Sequence, residues 1–150
     1  MINVRGSGHC VRVQAGLPDE VRSRPQWLST VPFVRCNLSD LALAQVRAHG
    51  GEGEIRFARI AEATAFAGGC NFIDYAELPP GASIGRHRHA DTEEELYLVL
   101  EGRGTMWRDG EQFTVRTGEL VRNEPGGEHE LRNTGTGVLR LFVIELRATR

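Results

Sequence analysis

An all-β chain, closed into a barrel or jelly roll, is predicted by three observations. From residue 70 onward the sequence is a succession of short strand-like runs separated by turn residues. The runs recur at near-even spacing, with no amphipathic helical period between them. One separation, Asp109-Gly110, is a strong hairpin signal, because both residues tolerate the positive φ angles of a two-residue turn between twisted strands. At 150 residues a single folded domain with a substantial core is expected.

Taken in order, residues 1 to 53 read as an irregular N-terminal extension and residues 54 to 150 as the barrel domain. The extension has scattered Gly and Pro and at most one short helix. Asn37 or Ser39 would cap that helix, which runs through Leu41, Leu43, Ala44, Val46 and Arg47 and is ended by Gly50-Gly51. The segments Val11 to Val13 and Val31 to Val34 are expected to add strands to the edge of a partner barrel, making a homodimer. The run His49-Gly50-Gly51-Glu52-Gly53 is a turn rather than a phosphate loop, since no strand precedes it and no lysine follows.

Strands are then expected over 54–60, 71–78, 83–89, 95–101, 105–108, 112–115, 119–123, 129–132 and 138–146. Pro79-Pro80-Gly81, Gly102, Gly118 and Pro125-Gly126-Gly127 mark turns between them.

Charge and composition remove several classes of function. The 18 basic residues are all arginine, against 20 acidic ones, for a net charge of -2. Without lysine there is no Schiff-base chemistry, no pyridoxal phosphate attachment and no lysine base. The near-neutral balance, with no helix-turn-helix, argues against a nucleic-acid partner. With 40% apolar and 25% charged residues the composition is that of a soluble globular protein. Val138 to Leu146, the longest nearly apolar run, is far too short to span a bilayer, and the N-terminus lacks a signal-peptide layout. Three widely spaced cysteines without a C-x-x-C, read as reduced thiols, suit a cytoplasmic protein.

Three histidines fall in the β region: His87, His89 and His129. His87 and His89 are two apart on one expected strand, so both point to the same face. Alone, Arg86-His87-Arg88-His89 reads as a surface pair. Aimed inward, with a third imidazole and a carboxylate from other strands, they would make a nitrogen and oxygen site for Fe(II), Mn, Ni, Cu or Zn rather than Ca or Mg.

The wider spacing is Gly81-x5-His87-x-His89, then Glu95-x6-Gly102, and later Gly118-x5-Glu124-Pro125-Gly126-x2-His129-x3-Asn133. This resembles the two motifs of the cupin superfamily over residues 70 to 146. The resemblance implies a small cupin-type jelly-roll barrel holding one divalent transition metal ion on His87, His89, one glutamate and His129. Five residues separate His89 from Glu95, where the family has three or four. Glu95 is preferred, because an extra residue fits more easily in the loop Ala90-Asp91-Thr92 than inside a paired strand; Glu94 and Glu93 are the alternatives, and a bulge would change the choice. Glu124 stands where the family has proline, a change in the turn before His129 rather than in the ligand set.

Strand parity adds lining groups: Ser83 with the two histidines, Tyr97 and Val99 with Glu95, Leu131 with His129. Tyr97 is the candidate catalytic residue, for hydrogen bonding or proton transfer, with a buried core tyrosine as its plainer role. Trp107, Phe113 and Phe142 read as packing. His49 reads as a solvated loop histidine that has a barrel mouth or a partner subunit within reach. Arg86 and Arg88 should point away from the site, and no arginine is evidently inward, which favours a neutral or metal-chelating substrate. The resemblance therefore implies a metal-dependent enzyme acting on a small organic molecule. Dioxygenase and isomerase or cyclase chemistry both stay open, and a non-catalytic binding or sensing cupin is the alternative.

Overall fold

A computed structural model describes residues 35–148, and every structural statement below concerns those residues. The segments Val11 to Val13 and Val31 to Val34 lie outside them. Ten strands are present: β1 Ala44–Val46, β2 Ile55–Glu62, β3 Cys70–Leu78, β4 Ser83–Arg88, β5 Glu93–Glu101, β6 Arg103–Arg108, β7 Glu111–Arg116, β8 Leu120–Asn123, β9 Glu128–Arg132 and β10 Leu139–Arg147. They form two antiparallel sheets, of order β1-β2-β3-β10-β5-β8 and β4-β9-β6-β7. All nine strands expected from the sequence are among them, within two residues at either end.

The chain is strand-rich because its apolar residues alternate. In β10, Leu139, Leu141, Val143 and Glu145 are at most 8% exposed, while the residues between them are only half-buried. That strand lies between β3 and β5, with Leu141 opposite Ala76 and Val99. Leu78, Leu139, Leu141, Val99, Met106, Val115 and Leu131 join the facing sheets in one core. Each such side chain removed from water contributes roughly 1.5–3 kcal/mol.

Turn chemistry follows the sequence signals. Asp109 and Gly110 take φ values of 48° and 94° between β6 and β7, as a two-residue hairpin demands. Gly102, at φ 87°, admits no side chain, since a Cβ there would lie 2.5 Å from the Val138 carbonyl oxygen. Asn133 is a structural clamp: its Nδ2 donates to the Leu78 and Gly137 carbonyls at 2.7 and 2.8 Å, and its Oδ1 accepts from the Gly135 amide.

One expected element is absent. Residues 38–47 do not form an α-helix: a 3-10 turn Leu38–Asp40 is followed by β1 and then by a second 3-10 turn, Ala48–Gly50. Asn37 does cap, its Oδ1 accepting from the Ser39 amide at 3.1 Å, but for a single turn. The short run Ala44-x-Val46 satisfies a two-residue period as well as a helical one, and the open edge of β2 supplies backbone partners for the extended form.

Candidate metal centre

The four-stranded sheet brings the three imidazoles together. His87 on β4 lies directly opposite His129 on β9. Their ring centroids are 4.2 Å apart, and those of His89 and His129 are 5.0 Å apart. Glu95 arrives from β5 of the facing sheet, its Oε2 3.1 Å from His129 Nε2 and 3.3 Å from His89 Nε2. Ligand atoms of all four residues lie within 4.8 Å of one another. His89, Glu95 and His129 are 9%, 5% and 0% exposed, whereas His87 is only half-buried.

Parity separates Glu95 from Glu94 but not from Glu93, which shares its face and has a carboxylate oxygen within 4.8 Å of ligand atoms of His89 and Glu145. Glu95 is opposite Asn123 on one side and Glu145 on the other, all on the core face. Glu94 points the other way and pairs with Arg122 at 2.6 Å. Glu93 turns back to the Ala90 amide, which donates to its Oε2 at 3.2 Å. A bulge between Ile84 and His87 shifts the parity of β4, so Ile84 and His87 both face inward and Ser83 does not join them. Ser83 instead accepts a hydrogen bond from the Glu52 amide at 2.8 Å. Contrary to the expectation from strand parity, Ser83 is not part of the lining.

The four residues fit a divalent transition ion. His89 Nε2 and Glu95 Oε2 are buried and face each other at 3.3 Å without a well-directed hydrogen bond, so their lone pairs converge on one point. Convergent imidazole nitrogens and one carboxylate are the donor set such ions prefer. The outer nitrogens of His87 and His89 are also held as ligands require. His87 Nδ1 donates to the Gly85 carbonyl at 2.8 Å, which leaves its Nε2 lone pair available. His89 Nδ1 lies 3.3 Å from Glu145 Oε2, and Glu145 in turn accepts from Asn71 Nδ2 at 3.0 Å.

Burial, aided by His129 and His49, lowers the His87 pKa to about 4, against the opposing pull of Gly85 and Glu95, so its ring is neutral near pH 7. Burial would also lower His89, but Glu145 and Glu95 outweigh it and raise that imidazole to about 10. Burial would raise Glu95, yet His129 and His89 hold it down at about 2. A cation bound among these groups therefore competes with the proton on His89. Tyr97 is buried with its hydroxyl 3.3 Å from His129 Nε2. Burial and the Glu95 charge push its phenol well above the ordinary range, so it keeps its proton and acts as a donor.

Arg86 and Arg88 do point outward. Arg86 lies over the Trp107 ring at 3.6 Å and pairs with Glu130, and Arg88 donates to the Gly126 carbonyl at 2.6 Å. An inward arginine is nevertheless present. Arg59 on β2 is opposite Asp74 on β3, in the row that continues through Val143 to Tyr97. Its Nε and Nη2 bond the two Asp74 oxygens at 2.8 and 2.9 Å, so its charge is largely matched inside the barrel.

Glu145 and Asp74 were both missed from the sequence, where the available signal was an acidic residue at a core-facing position of an alternating strand. His49 is an exposed turn residue, as expected, and its ring also stacks on His87 with centroids 3.7 Å apart. A cleft of about 470 Å³, lined by Asn71, Thr92, Glu93 and Arg147 among others, meets the centre at Glu145.

A two-sheet jelly roll with three histidines and a glutamate converging between its sheets is the architecture of a cupin with residues that could hold a metal ion. The family model for the cupin domain matches residues 74–145. An oxalate-binding protein of Thermotoga maritima is 30% identical over 95 residues, which is 63% of this chain and 78% of that protein. The chain belongs to the cupin family. A crystal structure of a predicted oxalate decarboxylase from Thermotoga maritima aligns with a TM-score of 0.71 and 26% identity, over 75% of this chain and 97% of that one. A dimethylsulfoniopropionate lyase of Ruegeria pomeroyi is 34% identical over 77 residues, 51% of this chain and 49% of its own length. Among the described residues no helix is long and apolar enough to cross a membrane.

Proposed function

We propose that this protein is a metal-dependent enzyme whose ion, held by His87, His89, Glu95 and His129, binds a small chelating carboxylic acid of the oxalate class. The observation that carries the reading is the convergence of four ligand atoms, three of them from buried residues, within 4.8 Å of one another. An ion held by these four residues would supply Lewis acidity to such an acid. His87 contributes a neutral nitrogen, Glu145 holds the ring of His89 from behind, and Tyr97 keeps a proton beside His129 and Glu95. Asn123 is fully buried opposite Glu95, with both amide atoms lacking partners, and suits an oxygen of the bound acid. The pairing of Arg59 with Asp74 leaves the ion as the main attraction for an anion.

The test begins with Co(II) and Mn(II) titrated into the purified full chain, followed by oxalate. One ion per chain is expected, with uptake abolished in His87→Ala and His129→Ala and with oxalate shifting the Co(II) absorption. No uptake, or uptake indifferent to both substitutions, would overturn the reading. Oxygen consumption with substrate then assigns dioxygenase chemistry, and product without oxygen uptake assigns isomerase, cyclase or lyase chemistry. The similarity to an oxalate-binding protein favours a second reading, binding without turnover, for which oxalate is held and recovered unchanged.

A further inference from the structure

His49 belongs to neither cupin motif, yet it lies against the ligand set. Its ring is stacked face to face on that of His87, with centroids 3.7 Å apart and planes 6° from parallel. The residue is exposed and sits at φ 48°, ψ 37°, in the left-handed region that residues other than glycine seldom occupy. Such a conformation persists only where the surroundings over-determine it.

The surroundings here are the strand that carries His87. The Gly51 amide closes the turn onto the Ala48 carbonyl at 2.9 Å, and the Ser83 amide donates to the Glu52 carbonyl at 2.9 Å. Two glycines let the backbones touch: a Cβ on Gly51 would lie 2.2 Å from the Ser83 carbonyl oxygen, and one on Gly85 would lie 2.3 Å from the His49 carbonyl oxygen. Gly85 falls within the β4 bulge, and its own carbonyl accepts the His87 Nδ1 proton. The turn, the bulge and the ring of His87 are therefore one mechanical unit.

His87 needs that support more than its companions do. His89 has a carboxylate behind it in Glu145, and His129 and Glu95 are enclosed, whereas His87 is the half-buried member of the set. One hydrogen bond to the Gly85 carbonyl fixes the direction of an imidazole but leaves rotation about that bond free. A second ring laid flat against it removes this freedom.

We propose that His49 is a positioning residue of the metal centre, its stacked ring setting the plane of His87 so that Nε2 points at the ion. The inference rests on the proposed metal-dependent function and names a residue outside the motif set. Its test compares Co(II) affinity, by competition with a chelator, and the Co(II) visible spectrum in wild type, His49→Asn and His49→Phe. Asparagine tolerates the left-handed backbone but removes the ring, and phenylalanine keeps a ring without nitrogens. His49→Asn is expected to bind Co(II) about 10-fold more weakly, with an altered band shape, and His49→Phe to recover both, at unchanged circular dichroism. Wild-type affinity and spectrum in His49→Asn would overturn the proposal, as would a folded His49→Phe as weak as His49→Asn. A wild-type protein that takes up no Co(II) would instead sink the metal-dependent reading underneath it.

Discussion

The imidazole of His89 has a different neighbour on each nitrogen: Glu95 faces Nε2, and Glu145 faces Nδ1. A carboxylate behind a histidine fixes its tautomer and raises its basicity as a ligand. Glu145→Gln keeps the shape and the acceptor for Asn71 but removes the charge. Co(II) affinity is expected to fall about 10–100-fold, measured by chelator competition, while the thermal midpoint stays near that of wild type. Glu145 was legible only in part. Its alternation with Leu139, Leu141 and Val143 places a charge on a core face, yet nothing in the spacing of β10 says which histidine it meets. His87, His89 and His129 were readable because their offsets from turn glycines are fixed. Glu95 is preferred over Glu94 and Glu93 because an extra residue fits more easily in the loop Ala90-Asp91-Thr92 than inside a paired strand. Its inward direction is set by its place opposite Asn123 and Glu145.

At the level of elements, Glu77 ties three strands on the outer face of the six-stranded sheet. It accepts from Arg56 on β2 at 2.7 Å, from the Tyr75 hydroxyl on β3 at 2.9 Å and from Arg140 on β10 at 3.1 Å. Burial alone would raise its pKa, but Tyr75, Arg140 and Arg56 outweigh that and hold it below the ordinary value of 4.5. The folded state therefore binds this proton less readily than the unfolded chain, and the resulting stability is present above about pH 4.5 and lost as the pH falls further. Glu77→Gln is expected to cost about 1–2 kcal/mol at pH 7, modest because the arginines are partly exposed, and to make urea unfolding less sensitive to acid. An equal loss at pH 3 and pH 7 would contradict this. The helix expected before Gly50 failed at this same scale. Its apolar residues suit either period, and the free edge of β2 decided between them.

Over the whole molecule, the centre bridges two sheets, since Glu95 comes from one and the three histidines from the other. An ion that binds only the folded arrangement adds to global stability by mass action. With Co(II) at 100 times its Kd the gain is about 2.7 kcal/mol, a rise in Tm of roughly 5–10 °C, which His129→Ala should abolish. Calorimetry with and without the ion checks it, and an equal rise in His129→Ala would place the binding elsewhere.

Nine of the ten strands, the hairpin at Asp109-Gly110 and, through the resemblance to the cupin motifs, four candidate ligands were legible in the chain. Each of these depends on local backbone preference, two-residue alternation or a short fixed spacing. Tertiary structure alone decided the parity of Ser83, the place of Glu145 and Arg59, and the contact of His49 with His87. A bulge changes which face a residue occupies, and cross-strand and cross-sheet neighbours are set by register between distant segments. Neither quantity is carried by residues adjacent in the chain.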